Sequence, residues 1–441
     1  MNSRTTAANP VAPPAAGHAA AERATAARPA AGRRTTPSSG GRYARLPQLA
    51  GRGFLPIAFL ARLPLAMATV GALTLATSVT GSYAAGGLAA GAVGVGSALG
   101  GPLMGHLADR AGQRPVLLAS ALLYVVAVAL LLLSALVPGG ADGPAVPPVV
   151  ASALLVGATC PQVSPLARVR WRGLTGGDRR ELDTALSYES TADELTFVLG
   201  PALVGLLASL VAPWAPFALA AALTLGTVWA FAVHPTHRAA PASTRTARRT
   251  AVRPTGRERV LVLVPVLGMV AMGTFFGAVQ NGLSAFGGSF GAQSAAGLLY
   301  AVLGISSAAA ALSVAWWPQR FRPAARWVAG AAAMTALSLL LLLPDGIAPM
   351  LLVLLLAGIP VGPVMVTIYT IGGDAARPER LGTVMTLLAS GVVLGTALGA
   401  ALAGALAETA GHRGAFAAAV GAALAMLLVS AAGALLRRPA R

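Results

Sequence analysis

Lysine is missing from this chain: all 32 basic residues are arginine. A P-loop sets a lysine on the nucleotide phosphates, so the chain is not itself a P-loop ATPase. A Schiff base to retinal or pyridoxal needs a lysine amine too. Solute moved uphill by such a chain would draw on a gradient or a partner. Cysteine is nearly missing as well. Cys160 stands alone, which excludes an intramolecular disulfide and leaves the redox compartment unread. Charge is scarce, at 10% of residues against roughly 25% in soluble globular proteins. The first fifty residues hold no apolar core of the kind that makes a cleavable signal peptide. No nucleophile–base pair and no metal-ligand cluster is visible, so no enzyme, cofactor or metal site is expected. His234-Pro-Thr-His237 has the spacing of two metal ligands, but no carboxylate or thiol lies near it.

What the chain has is apolar length. Hydrophobic residues make up 56% of its 441 positions, enough for about a dozen spans of roughly 20 residues each. The runs are continuous, unlike the alternation of an outer-membrane barrel. They predict twelve transmembrane helices, over 54–77, 82–104, 115–137, 147–167, 185–210, 214–233, 260–282, 294–315, 327–343, 348–372, 381–406 and 415–436. The net charge of +18 would suit nucleic acid, but the arginines are sorted by topology. Thirty fall in the even connections and the two ends, Arg413 alone falls in an odd connection, and Arg62 lies inside the first run. Positive charge favours the cytoplasmic side. Both termini are therefore expected in the cytoplasm of a multi-pass protein of the bacterial inner membrane, with the lipid bilayer and not nucleic acid as its surroundings.

Residues 1–50, rich in Ala, Pro, Arg, Thr and Gly, read as a disordered cytoplasmic tail. A transit peptide has the same arginine-rich, acid-poor character. The longest internal connection, 234–259, separates residues 51–233 from 260–436, and 437–441 form a short second tail. Span four carries Gly157, Pro161 and Pro165, and span ten carries Gly358, Pro360, Gly362 and Pro363. Broken helices at matching places in two halves point to a central binding site.

Between spans two and three stands Gly105-His-Leu-Ala-Asp109-Arg110-Ala-Gly112-Gln-Arg114. The glycines permit a sharp turn, and Asp109 suits a helix N-terminus. The pattern G-x-x-x-D-R-x-G-x-R resembles the signature loop of the major facilitator superfamily. That resemblance implies an all-α membrane protein, twelve helices in two six-helix bundles, and Gly105, Asp109, Arg110, Gly112 and Arg114 as a gating loop. Asp109 is expected at the first turn of span eleven, around Arg380 to Thr383. The resemblance also implies that spans two and eleven meet and slide, so Gly87, Gly91, Gly391, Gly395 and Gly399, spaced by four, are expected at close helix contacts.

Span five carries three acids, Glu189, Asp193 and Glu194, in a membrane-length segment. Intramembrane charge normally has a partner or a function. Arg62 lies at matching depth in span one, and helices one and five are neighbours in the superfamily. Arg62 is expected against Asp193 or Glu194, with Glu189 the weaker candidate. The same charges are candidates for coupling to protons. Gln162, Gln280, Asn281 and Tyr369 are candidates to line a cavity, although Gln280 and Asn281 could equally cap a helix contact. Gly200-Pro201-x-x-x-Gly205 looks like part of the fifth-helix motif of antiporters. With Glu189-Ser-x-x-Asp193-Glu194 before it, the chain resembles actinobacterial drug or metabolite exporters of the superfamily. The expectation is a secondary active transporter exporting a small amphiphilic molecule against protons. Uptake of a nutrient or metabolite is the alternative within transport, and a non-transporting receptor or scaffold is the alternative outside it.

Overall fold

A computed structural model describes residues 41–136, 146–242, 255–290 and 296–437. Most of the expected tail, the middle of the expected linker and residues 438–441 lie outside the described residues.

The apolar runs become helices because a segment in lipid must pair its own backbone N–H and C=O groups. Ten are α1 (Phe54–Thr80), α2 (Ala85–Ala111), α3 (Gln113–Ala135), α4 (Val146–Leu174), α5 (Arg179–Leu210), α6 (Ala215–Val233), α7 (Gly256–Ser289), α8 (Ala296–Trp316), α9 (Pro323–Leu342) and α10 (Ile347–Ala375). The last apolar segment, Pro378–Leu436, bends at Ala410 and at Gly411, where φ is +61°. It supplies α11 (381–409) and α12 (412–436), so the described residues make twelve crossings and no strand. The protein is an all-α membrane protein of two six-helix bundles, α1–α6 and α7–α12. Leucines such as Leu99, Leu103, Leu133, Leu352 and Leu428 are exposed, as a lipid-facing belt requires.

The described end of the expected tail is helical. Arg42–Arg45 and Leu46–Ala50 are helical. Leu46 and Ala50 are buried in the same apolar cluster as Phe54, Leu117, Trp171 and Phe231.

Three breaks place the polar side chains. In α4 the helix stops after Thr159 and restarts at Val163, because Pro161 can neither donate a helical hydrogen bond nor clear the preceding turn. α10 breaks in the same way between Gly358 and Val361, at Pro360. α1 is interrupted at Ala61 and Arg62, just before Leu63-Pro64. The matching breaks of α4 and α10 lie in opposite bundles, and the restarted halves carry Arg168 and Tyr369.

Candidate functional site

Glu189 and Asp193 of α5 are held by arginines from two neighbouring helices. Arg62 bonds the Glu189 carboxylate, and its other guanidinium nitrogen lies 3.6 Å from Asp193. Glu189 also accepts from Trp171 Nε1 at 2.7 Å. Asp193 accepts from Arg168 at 2.8 Å and from Ser164 Oγ at 2.8 Å. Arg168 in turn donates to Ser164, and its guanidinium lies over the Tyr369 ring at 3.8 Å. Both arginines and both acids are buried. Each charge is therefore paired and hydrogen-bonded, the condition under which burial is tolerated.

This reverses part of the expectation. Glu189, the weaker candidate, is the principal partner of Arg62, and Asp193 comes second. Glu194 has no contact with Arg62. One residue on from Asp193 it points about 100° around the helix, towards α8, where Ser307 Oγ donates to it at 2.9 Å. Sequence reasoning missed Arg168 because it was assigned to a connection. The restarted half of α4 runs on to Leu174, so Ser164 and Arg168 form an i, i+4 pair on one helical face. That spacing was the available signal.

The network borders two adjoining cavities. One, of about 60 Å³, is lined by Arg62, Gln162, Ser164, Asp193, Tyr369 and Ser390 among others. The second, of about 170 Å³, is lined by Thr69, Glu194, Phe197, Phe276, Gln280 and Tyr300 among others. Leu65, Ala66, Asp193, Phe197, Met365 and Val392 line both. Gln162, Gln280 and Tyr369 thus line a cavity as expected. Asn281 borders neither of these two cavities; it donates to Ala400 O at 2.7 Å and joins α7 to α11.

At the arginine-rich end the two bundles are tied together. Asp109 accepts from Gly382 N and Thr383 N, both at 2.7 Å, and from Thr383 Oγ1 at 2.6 Å. The contact expected at the start of α11 is present, where the helix end favours negative charge. Gly105 allows the approach, since a Cβ there would run into Gly382 and Thr386. Gly112, with φ +89°, ends α2, and Arg110 and Arg114 are exposed. Three further ties went unforeseen. Arg172 and Arg179 of the first bundle reach Asp374 at 3.1 and 2.7 Å. Asp183 takes Arg326 and Gln319 of the second, each at 3.2 Å. Tyr43 donates to Leu312 O at 2.6 Å, and Arg42 bonds Ala315 O. Burial pushes the Tyr43 phenol up to about 12.

The glycine spacing was only half informative. Gly391, Gly395 and Gly399 do make close contacts, but with α7, whose Gly273 and Gly277 meet α11 reciprocally. Gly87 and Gly91 are exposed with nothing near their Cβ positions. Five residues separate Gly91 from Gly96, which rotates the stripe by about 140° at 3.6 residues per turn. Gly96 and Gly100 then pack on α4, while Gly101 and Gly105 face α11.

A family model described as Major Facilitator Superfamily matches residues 54–389. No curated protein sequence matches the chain. Among solved structures, the human organic anion transporter MFSD10 (TETRAN) is similar at 21% identity and a TM-score of 0.66, covering 86% of this chain and 99% of its own. The transporter FucP in the outward conformation is similar at 14% identity and a TM-score of 0.57, covering 86% and 98%. A variant of the E. coli fucose:proton symporter FucP gives 14% identity, a TM-score of 0.58 and the same coverage.

Proposed function

The chain belongs to the Major Facilitator Superfamily and is a transporter, not an enzyme, and from that premise we propose that it exports a small amphiphilic molecule in exchange for protons. Access alternates between the two faces of the bacterial inner membrane. The arginine-rich end, with both chain ends, faces the cytoplasm, because the positive-inside rule puts arginine there. The Asp109, Asp374 and Asp183 contacts are then the closed cytoplasmic gate. With that gate closed, the cavities would be reached from the outer face. The antiporter-like Gly200-Pro201 segment of α5 supports export over uptake.

One observation carries the coupling. Of Glu189, Asp193 and Glu194, the first two are neutralised by arginines, whereas Glu194 has no arginine partner among the described residues and borders the larger cavity. A carboxylate without a counter-charge, held in an apolar wall, is the group whose protonation a membrane site most readily changes. Its bond to Ser307 joins α5 to α8, one helix from each bundle. Thr191 adds a second tie on the same face, to Ala308 O at 3.0 Å. Gain of a proton by Glu194 replaces a charge-assisted bond by a neutral one, which is roughly half as strong. Protonation at the cavity thereby loosens a contact that holds the bundles together. The restarted half-helices of α4 and α10 supply the remaining walls, as discontinuous helices do at transporter sites.

The test is solute-dependent proton flux in sealed proteoliposomes holding the full chain, screened over a chemically varied panel. An outward solute gradient that drives protons inward supports the reading. Solute movement with no proton movement, over the whole panel, contradicts it.

A further inference from the structure

The charge around the cavities does not sum to zero. Arg62 and Arg168 contribute two positive charges, and Glu189 and Asp193 cancel them in direct pairs. Glu194 then stands as one uncompensated negative charge on the cavity wall. Its side chain is buried, with the residue 9% exposed. Among the described residues it has a single hydrogen-bond partner, Ser307. The groups around it from the packed helices are Asp193 on α5, Tyr300 and Ser307 on α8, Gln280 on α7 and Thr69 on α1. None of these is a cation.

From this balance we propose that the larger cavity takes a small organic cation, an aromatic or alkylated ammonium, with Glu194 as its counter-charge. The proposal rests on the transport reading above for its physiological meaning, but the binding site stands on its own geometry. Phe197, Phe276 and Tyr300 line the same cavity as Glu194. Aromatic faces attract a desolvated cation through the ring quadrupole, and quaternary ammonium groups are bound in this way. Thr69 and Gln280 offer oxygens to polar N–H groups of such a ligand. The apolar walls from Leu65, Val198 and Met365 suit an alkyl or aryl body.

An organic anion meets the opposite conditions. The guanidinium groups that could attract it are engaged: Arg62 holds Glu189 and Asp193, and Arg168 holds Asp193 and Ser164 while covering the Tyr369 ring. To bind an anion they would have to abandon buried carboxylates, leaving those acids unpaired in the membrane. The similarity of fold to an organic anion transporter therefore carries no substrate class across to this chain.

The experiment measures equilibrium binding of labelled phenyltrimethylammonium to the purified full chain in detergent, near pH 8, where ordinary carboxylates are ionised. Benzenesulfonate, of similar size and opposite charge, is the competitor. The expected result is saturable cation binding that benzenesulfonate does not displace. Glu194→Gln lowers the cation affinity at least tenfold, while Glu408→Gln, at an exposed position, leaves it unchanged. Displacement by benzenesulfonate, no saturable cation binding, or equal affinity in Glu194→Gln each overturns the proposal. The wild-type charge comparison needs no variant, so a misfolded Glu194→Gln protein does not blunt the test. Binding in detergent is also independent of transport. Cation binding without proton flux in proteoliposomes ends the transport reading alone, whereas proton-coupled movement of benzenesulfonate but not of the cation ends this one alone.

Discussion

Asp109→Asn should open the arginine-rich mouth without unfolding the protein. In the wild type one carboxylate oxygen accepts from Gly382 N and the other from Thr383 N and Thr383 Oγ1, at 2.6–2.7 Å. Asparagine keeps one accepting oxygen and turns an NH2 group towards groups that also donate. The variant loses at least one hydrogen bond to a charged acceptor, worth about 1.5–3 kcal/mol. It also loses the charge at the start of α11, worth about 0.3–1 kcal/mol. The sum is about 2–4 kcal/mol of preference for the closed mouth. At about 1.4 kcal/mol per factor of ten, the closed-to-open ratio falls roughly 30-fold to 700-fold. The ties from Asp374 and Asp183 between the bundles remain, so the change shifts the closed-to-open balance without removing every contact across the mouth. Spin labels on cysteines placed at Arg180 and Arg320, in a Cys160→Ser background, report the distance across the mouth by pulsed electron resonance. Both positions are exposed. The variant should show a longer-distance population that the wild type lacks or holds at a small fraction. The same distance distribution in both proteins, with transport intact, would refute the gating role of Asp109.

Arg168→Leu leaves Asp193 with the Ser164 hydrogen bond and, as counter-charge, the 3.6 Å contact to Arg62, and breaking a buried pair in this way costs about 3–5 kcal/mol. Thermal unfolding in detergent should drop markedly, and adding Asp193→Leu should recover part of the loss. Gly399→Ala puts a Cβ against Thr274 O, and such overpacking costs about 1–3 kcal/mol. Gly87→Ala meets open space and should be neutral or stabilising by about 0.5–1 kcal/mol; paired unfolding curves check both. Tyr43→Phe removes one neutral bond to Leu312 O, about 0.5–1.5 kcal/mol, and should shift the same spin-label distances towards the open mouth by tenfold or less. Because the Tyr43 phenol titrates only near 12, still higher than its ordinary value, that tie should not change between about pH 6 and pH 9.

The membrane architecture was legible because lipid leaves little choice: apolar length fixes the spans, and arginine placement fixes which connections share a face. The Asp109 contact was legible because a charged motif and a helix start lay at known positions. Side-chain pairing inside the first bundle was less so. Depth along a helix could be counted from residue 54, but the break at Arg62 and the restart of α4 at Val163 shift both depth and rotation. A pattern that treats Arg168 as loop hides the partner of Asp193. The glycine stripe failed for a related reason: spacing by four establishes a shared face but not which neighbour it meets. Glu194 was grouped with Asp193 by sequence position, although adjacent helix residues face different neighbours. The helical stretch from Arg42 to Ala50 was hidden by the composition of the residues before it, in which Ala, Pro, Arg, Thr and Gly dominate.

In the proposed mechanism Glu194, and not the paired acids beside it, carries the proton. The measurement is solute-driven proton flux in proteoliposomes holding Glu194→Gln, compared with wild type at equal protein content and with the fold verified by thermal unfolding. The variant is expected to fold and to show no solute-dependent proton flux. Proton flux equal to wild type in the folded variant would contradict that mechanism.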